Sequence, residues 1–251
     1  VNSLDGKSGK IKTEWQALVV LILVILAGSY IRLVHLDVRD FGADELNHYY
    51  AAVSMQQGHG PLLPSGNSYL RGIDVTRFVS LSLRFVADPE RAARLPSAFF
   101  GVLNLILFGW IAWVLGGCWS AVWATLLLAI YPEAINQSRI TRFYTYQLCF
   151  GLVALYYGWR VVQREEIYTI PKNSEVRRQW IYAAITVLAF FLAVRVQITT
   201  FSVLAGWGFA LAVLGCIDFF LFGPNAWRRS VAIQITGMAG FFSILLIAVF
   251  P

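Results

Sequence analysis

Residues 95–135 read LPSAFFGVLNLILFGWIAWVLGGCWSAVWATLLLAIYPEAI and carry no charged side chain before Glu133. A helix needs about 20 mostly apolar residues to cross the ~30 Å of bilayer hydrocarbon, and this stretch holds two such lengths back to back. The stretch therefore reads as two membrane spans, 95–115 and 117–135. The same test applied outward finds further spans at 15–34, 143–162, 180–200, 201–221 and 231–250, with no turn between 180–200 and 201–221. The expected fold class is all-α: a polytopic membrane helix bundle of about seven transmembrane helices, forming a single integral-membrane domain over 1–251.

Composition agrees with this reading. Of 251 residues, 58% are hydrophobic and 14% charged, and the mean hydropathy is +0.62. Soluble domains carry about 25% charged residues, and disordered chains are poor in the apolar residues that abound here, so both classes are excluded. The net charge of +6 is spread between apolar stretches and forms no basic run, which argues against a nucleic-acid partner. Cys118, Cys149 and Cys216 each sit alone in an apolar stretch and are spaced for neither a metal nor a disulfide framework. The apolar run of the first span is too long for a cleavable signal sequence, and no small-residue cleavage site follows it.

Lys and Arg concentrate in cytoplasmic loops. Lys7, Lys10 and Lys12 precede the first span; Arg160, Arg164, Lys172, Arg177 and Arg178 flank the loop after the fourth; Arg228 and Arg229 precede the seventh. Strict alternation puts all three groups on one side, so the expected location is the cytoplasmic (inner) membrane, multi-pass, with a cytoplasmic N-terminus. The opposite face then receives the long segment 35–94, the turn 133–142 and the turn 195–200.

The 35–94 segment contains all three histidines. In 44–57, Leu46, Tyr49, Tyr50 and Val53 recur at helical spacing, which predicts an interfacial helix with Asp44 and His48 on its opposite, polar face. The stretch HGPLLPSGNSYLRG, 59–72, must be a loop. A second surface helix is expected over 75–87, with Arg77, Ser80 and Arg84 on one face where they would meet lipid head groups.

Asp44 and Glu45 form an acidic pair at this outer boundary. A carboxylate there can serve as general base toward a hydroxyl or amine, while an acidic pair solvated in a loop is the alternative. Arg94, Arg139, Arg142 and Arg195 are predicted at the same boundary. Arginine suits a phosphate leaving group through its planar fork, although each could equally be an arginine snorkelling to the interface. Asp44, Glu45 and His48 have helical metal-ligand spacings, and His59 and Asp74 could join from the loop. Ordinary surface histidines explain that pattern equally well.

The motif FGADELNHYY after the first span resembles the acidic motif of the GT-C glycosyltransferases, in the branch of the protein O-mannosyltransferases and lipid A aminoarabinose transferases. ARLPSAFFGVLNL and LLLAIYPEAINQSRITRFYTYQLCF resemble later signatures of that branch, in the same order. The resemblance implies an enzyme that moves a sugar, with inversion, from a polyprenyl-phosphate carrier to a protein, lipid or glycan acceptor on the non-cytoplasmic face. By motif position it implies Asp44 as base, Glu45 as its support, and Arg94 as a contact to the carrier phosphate. Arg139 and Arg142 would line the cavity, with Tyr69 and Tyr144 against the sugar. It implies no required cofactor, some relatives using a divalent cation, and it matches the chain to the N-terminal membrane module of the superfamily.

The rival from another class is a non-catalytic membrane subunit or fragment that scaffolds a larger complex through Gly101, Gly116, Gly117, Gly206, Gly208, Gly237 and Gly240. A transporter is disfavoured because ionisable groups near mid-membrane are almost absent, Asp218 lying near the cytoplasmic end of its span. A charged cavity at the outer boundary would favour the transferase.

Overall fold

The computed structural model describes residues 2–162 and 173–197 and, beyond them, Gly206, Val213, Cys216, Ile217 and Phe220. Apart from those five residues, the predicted spans 201–221 and 231–250 lie outside the described residues. Among the described residues seven helices follow in order: α1 (Asn2–Leu33), α2 (Ala43–Gln56), α3 (Ile73–Ser82), α4 (Pro89–Ile130), α5 (Pro132–Ser138), α6 (Tyr144–Val162) and α7 (Asn173–Val196). The only extended pairing among the described residues is one antiparallel bridge, Leu62 with Ser68. The chain divides into two compact units, Val1–Tyr146 and Gln147–Pro251.

Three described helices are long and apolar enough to cross a membrane: α1 over Thr13–Leu33, α4, and α7 over Arg177–Val196. The 21 residues of the α1 segment extend about 31 Å at 1.5 Å per residue, the thickness of the hydrocarbon. α6 coincides with the predicted span 143–162 to within a residue. Its polar opening, Tyr144 to Gln147, and its Arg160 keep it outside that group of three.

α4 starts sharply. Asp88 accepts a 2.7 Å hydrogen bond from the Arg91 amide and Pro89 occupies the first turn, where a missing N–H costs nothing. Gly117 then breaks the 42-residue helix with φ 82° and ψ −175°, a backbone that side chains with a Cβ strongly disfavour. The break reverses the chain. A Cβ at Gly109 in the first arm would stand 2.5 Å from Thr125 Oγ1 in the second, so the arms are antiparallel, as the two adjacent predicted spans require. The second arm ends earlier than the predicted 117–135, because Pro132 forces Tyr131 into extended backbone (φ −64°, ψ 115°) before α5 begins.

α1 packs on both arms. Ala17, Leu21, Ala121 and Val122 form a buried cluster near the Gly117 turn, and a Cβ at Gly28 would meet Leu105 Cδ1 at 2.8 Å and the Ala129 Cβ at 3.0 Å. Small residues let the backbones close to this distance, giving dispersion contact where lipid offers no hydrophobic drive. Exposed Trp15, Trp110, Trp113, Trp119 and Trp123 surround the Gly117 end, and exposed Tyr30 and Tyr131 mark the other, the arrangement of aromatic belts at two membrane boundaries. The segments 34–88 and 131–143 gather at the tyrosine end. In the second unit, α6 and α7 pack through Ala154, Ala189, Phe190, Ala193 and Val194, with Arg160 over the Tyr182 ring.

The two surface helices differ from expectation. α2 buries Glu45, His48, Ala51 and Ala52 while Tyr50 is exposed, so His48 does not share a solvent face with Asp44. α3 ends at Ser82 and buries Ser80, so Arg77, Ser80 and Arg84 make no continuous basic stripe. His48 of α2 and Thr76 of α3 are buried against each other as a polar pair, a contact that the hydropathy pattern does not record.

Candidate functional site

Glu45 sits in the first turn of α2, where its side chain accepts from the Gly42 amide at 3.0 Å. Arg94 grips the same carboxylate with a fork, Nε to Oε1 at 2.9 Å and Nη2 to Oε2 at 3.0 Å. The Thr141 amide adds a fourth bond to Oε1 at 2.8 Å. Burial pushes the Glu45 pKa up, but the Arg94 fork and the Gly42 and Thr141 amides outweigh it and hold the group below the ordinary carboxylate range. Arg94 spends its remaining N–H groups on the carbonyls of Leu36 (2.7 Å), Arg39 (2.5 Å) and Asp40 (3.0 Å). With side-chain exposures of 2% and 6%, Arg94 and Glu45 have no valence left for a ligand, and they fix the chain between α1 and α2.

Arg139 has a similar duty. It donates to the carbonyls of Ile31 (2.6 Å), Val34 (2.8 Å) and His35 (2.9 Å), the orphan acceptors at the C-terminal end of α1. His35 ends that helix at φ 51°. Arg32 serves the second arm of α4 through Leu128 (2.9 Å) and Ala129 (3.2 Å). Sequence reasoning missed Arg32 because it lies inside the first span.

Asp44 turns the other way. Its side chain is 47% exposed and pairs with Arg142 Nη2. Arg142 is mostly buried, and its Nη1 has no hydrogen-bond partner. Its guanidinium lies 5.8 Å from the centroid of the buried Phe143 ring, and Arg71 lies 5.5 Å from the same ring. Ser97 Oγ donates to the Arg142 carbonyl at 3.3 Å, tying this turn to the start of α4. Tyr144 is exposed beside Phe143, with ring centroids 4.7 Å apart. Arg71 and Phe143 were not foreseen; a lone arginine in the Gly- and Pro-rich loop was the available signal.

His48 Nδ1 pairs with Thr76 Oγ1 at 2.9 Å, and its Nε2 is buried without a partner. Burial first, then the nearby Arg71 charge, lowers its pKa to about 4 despite the attraction of Glu45, so the ring is neutral at pH 7. Tyr69 packs edge-on at 5.1 Å. Its hydroxyl is also buried and unpartnered, and burial pushes its pKa up against the pull of Arg71. Among the predicted metal candidates, Asp74 pairs with Arg77 at 2.9 Å and His59 is exposed in the loop. Among the described residues no group of three His, Cys, Asp or Glu side chains is placed to hold a metal ion. Arg195 closes α7 in the second unit.

The structure therefore brings Asp44, Arg142, Arg71, Phe143, Tyr144, His48 and Tyr69 to the tyrosine-marked end of an all-helical unit with membrane-length helices. Compared with protein-family models, characterised proteins and solved structures, the chain matches none.

Proposed function

We propose that the chain is a membrane glycosyltransferase that takes a sugar from a polyprenyl-phosphate carrier and passes it, with inversion, to a protein, lipid or glycan acceptor at the non-cytoplasmic face of the cytoplasmic membrane. The observation that carries this reading is the Asp44–Arg142 pair. A half-exposed carboxylate at the start of α2 stands beside a guanidinium with an uncommitted N–H on the turn after α5, and Glu45, gripped by Arg94, ties the two segments together through the Thr141 amide. The order of the three sequence motifs supports it independently.

In this mechanism Asp44 accepts the proton of an acceptor O–H as the oxygen attacks the anomeric carbon. The bond from that carbon to the phosphate oxygen breaks, and its electron pair leaves on the phosphate. A base works only within hydrogen-bond reach of the proton it removes, which the exposure of Asp44 permits. Arg142 fixes the orientation of Asp44 and faces the charge that develops on the leaving group. Glu45, Arg94 and Arg139 act as positioning residues.

The test is transfer from polyprenyl-phosphate sugars in membranes containing the full chain, for native protein and Asp44→Asn. Native transfer, with a loss of at least about 100-fold in the variant while donor binding persists, is the expected result. Absence of transfer from every donor in a broad sugar panel would defeat the reading and leave a structural membrane subunit.

A further inference from the structure

We propose that the outward face of α3 is seated in the phospholipid leaflet at the tyrosine-marked end, with Phe78, Leu81 and Phe85 inserted into the leaflet and Arg77 and Arg84 at the level of the lipid phosphates. The inference stands apart from the sugar transfer. It starts from the sorting of side chains around the helix. Arg77, Phe78, Leu81, Arg84 and Phe85 are exposed, whereas Val75, Thr76, Val79, Ser80 and Ser82 are buried. Amide bonds from Leu83 to Val79 and from Phe85 and Val86 to Ser82 carry the helical turn past the end of α3, so all ten residues share one wheel.

On that wheel Phe78, Leu81 and Phe85 fall within about 60° of one another, and Arg77 and Arg84 stand together along one edge, about 40–60° farther round. The three apolar side chains are exposed by 40%, 50% and 80%, and no other polar residue is exposed between Val75 and Val86. A helix facing water sorts the other way, hydroxyls out and phenyl rings in. Here the inward polar groups are committed to α2: Thr76 Oγ1 pairs with His48 Nδ1 at 2.9 Å, and Gln56 Nε2 donates to the Ser80 carbonyl at 2.8 Å. Polar contacts fasten α3 to the protein, and its apolar stripe is turned away from it.

The position of the stripe identifies what covers it. The Phe78 ring packs on Phe100 of α4, with centroids 5.7 Å apart, and Phe100 packs on Phe99, which is 61% exposed on the same helix. The exposed surface of a membrane-length helix thus continues onto α3. Phe100 lies 17 residues before Gly117, about 26 Å along the helix. Counted from the tryptophan-ringed turn at Gly117, that is just inside the far edge of ~30 Å of hydrocarbon. From Phe78 the chain runs seven residues to Phe85, about 10 Å of helix, and three more to Asp88, the cap of α4. The stripe therefore begins at the hydrocarbon edge and ends in the head-group layer, the depth at which an amphipathic helix lies. Guanidinium groups along one edge reach the phosphates while their stems stay with the acyl chains; Arg77 is paired with Asp74, and Arg84 has no ion pair among the described residues.

The experiment measures depth in the bilayer. Leu81→Cys and Phe85→Cys are made singly in the full chain carrying Cys118→Ala, Cys149→Ala and Cys216→Ala, labelled with a nitroxide and reconstituted into phospholipid vesicles. Power saturation then compares collisions with oxygen, which concentrates in hydrocarbon, and with a nickel chelate, which stays in water. Ser65→Cys, in the exposed loop before α3, marks the aqueous limit. Leu127→Cys, 65% exposed on the second arm of α4 and about 15 Å from Gly117 along the helix, marks the membrane interior.

The oxygen-to-nickel ratio at 81 and at 85 is expected to lie above that at 65 and below that at 127, with 81 nearer to 127. The proposal fails if position 81 or 85 matches position 65, which would place the stripe in water. It fails equally if both labels are shielded from both reagents, because a protein surface would then cover the stripe. All four labelled side chains are exposed, so melts followed by tryptophan emission should match the unlabelled triple-alanine parent. Positions 81 and 85 are separate readouts, and either one decides the question if the other variant does not fold.

Discussion

Glu45→Gln removes one charge and almost no volume, yet it should be among the most destabilising changes in the first unit. The carboxylate accepts four N–H groups, two at each oxygen: Arg94 Nε and the Thr141 amide at Oε1, Arg94 Nη2 and the Gly42 amide at Oε2. Glutamine has one acceptor oxygen. Whichever way the amide is placed, its NH2 faces two donors, and the Arg94 charge remains buried at 2% exposure without a counter-ion. Breaking a buried pair from one side costs about 3–5 kcal/mol. For a chain of this size that lowers the melting temperature by about 6–20 °C.

Asp44→Asn is the matched comparison on the adjacent residue. Asp44 is half exposed while Arg142 is mostly buried, so the loss should be smaller than for Glu45→Gln, about 1–2 kcal/mol. Thermal unfolding of the detergent-solubilised protein, followed by tryptophan emission, reads both variants. Replacing both partners, Glu45→Gln with Arg94→Met, should recover part of the loss, because the stranded charge is gone. A Glu45→Gln protein within about 1 kcal/mol of native, or a double variant worse than the sum of the singles, would refute the assignment of this pair as the structural anchor.

The remaining expectations concern pH and packing. His48 has a folded pKa of about 4 against 6.5 in its unperturbed state, so the unfolded chain binds its proton first as pH falls. Stability should decline from about pH 6.5 to 4 and then level for this group; a melt series showing the same slope in His48→Gln would remove the attribution. Glu45 acts lower down: its contribution is complete above the ordinary carboxylate pKa of 4.5 and is lost as pH falls through its depressed folded value, so Glu45→Gln should flatten the acid limb. Gly28→Ala forces a methyl against Leu105 and Ala129, and should lower stability by about 1–3 kcal/mol. An unchanged melt would mean that α1 and α4 are not in close contact there.

The long helices were legible because their signal is local. The apolar lengths around Gly117 and in α1 follow from composition alone, and the early end of the second arm is visible in the Tyr131-Pro132 step once the restriction before proline is applied. The sorting of the arginines was not legible. Arg94, Arg139 and Arg142 look alike beside an apolar run, yet the first serves carbonyls at 36–40, the second caps α1, and the third meets Asp44. Those partners lie far away in sequence, so local context carries no record of them. α2 misled for a related reason: a hydropathy pattern ranks Tyr50 above Glu45 for burial, and only the partners from α4 and Thr141 reverse that order. Arg71 depended on a loop conformation that periodicity does not describe.

The partners of Glu45 also set a timetable for synthesis. Arg94 lies 49 residues downstream and Thr141 lies 96. At about 5–20 residues per second, ribosomal elongation keeps the carboxylate waiting about 5–20 s for its last donor. For about the first 2–10 s of that interval α1 is already made, but Arg94, which later binds the carbonyls of Leu36, Arg39 and Asp40, has yet to emerge. The segment between α1 and α4 is thus closed late, when the turn after α5 arrives, and a ribosome stalled between Arg94 and Thr141 would leave an unfinished acidic turn exposed. The device that later immobilises this end of the molecule makes its assembly wait for the third pass of the chain.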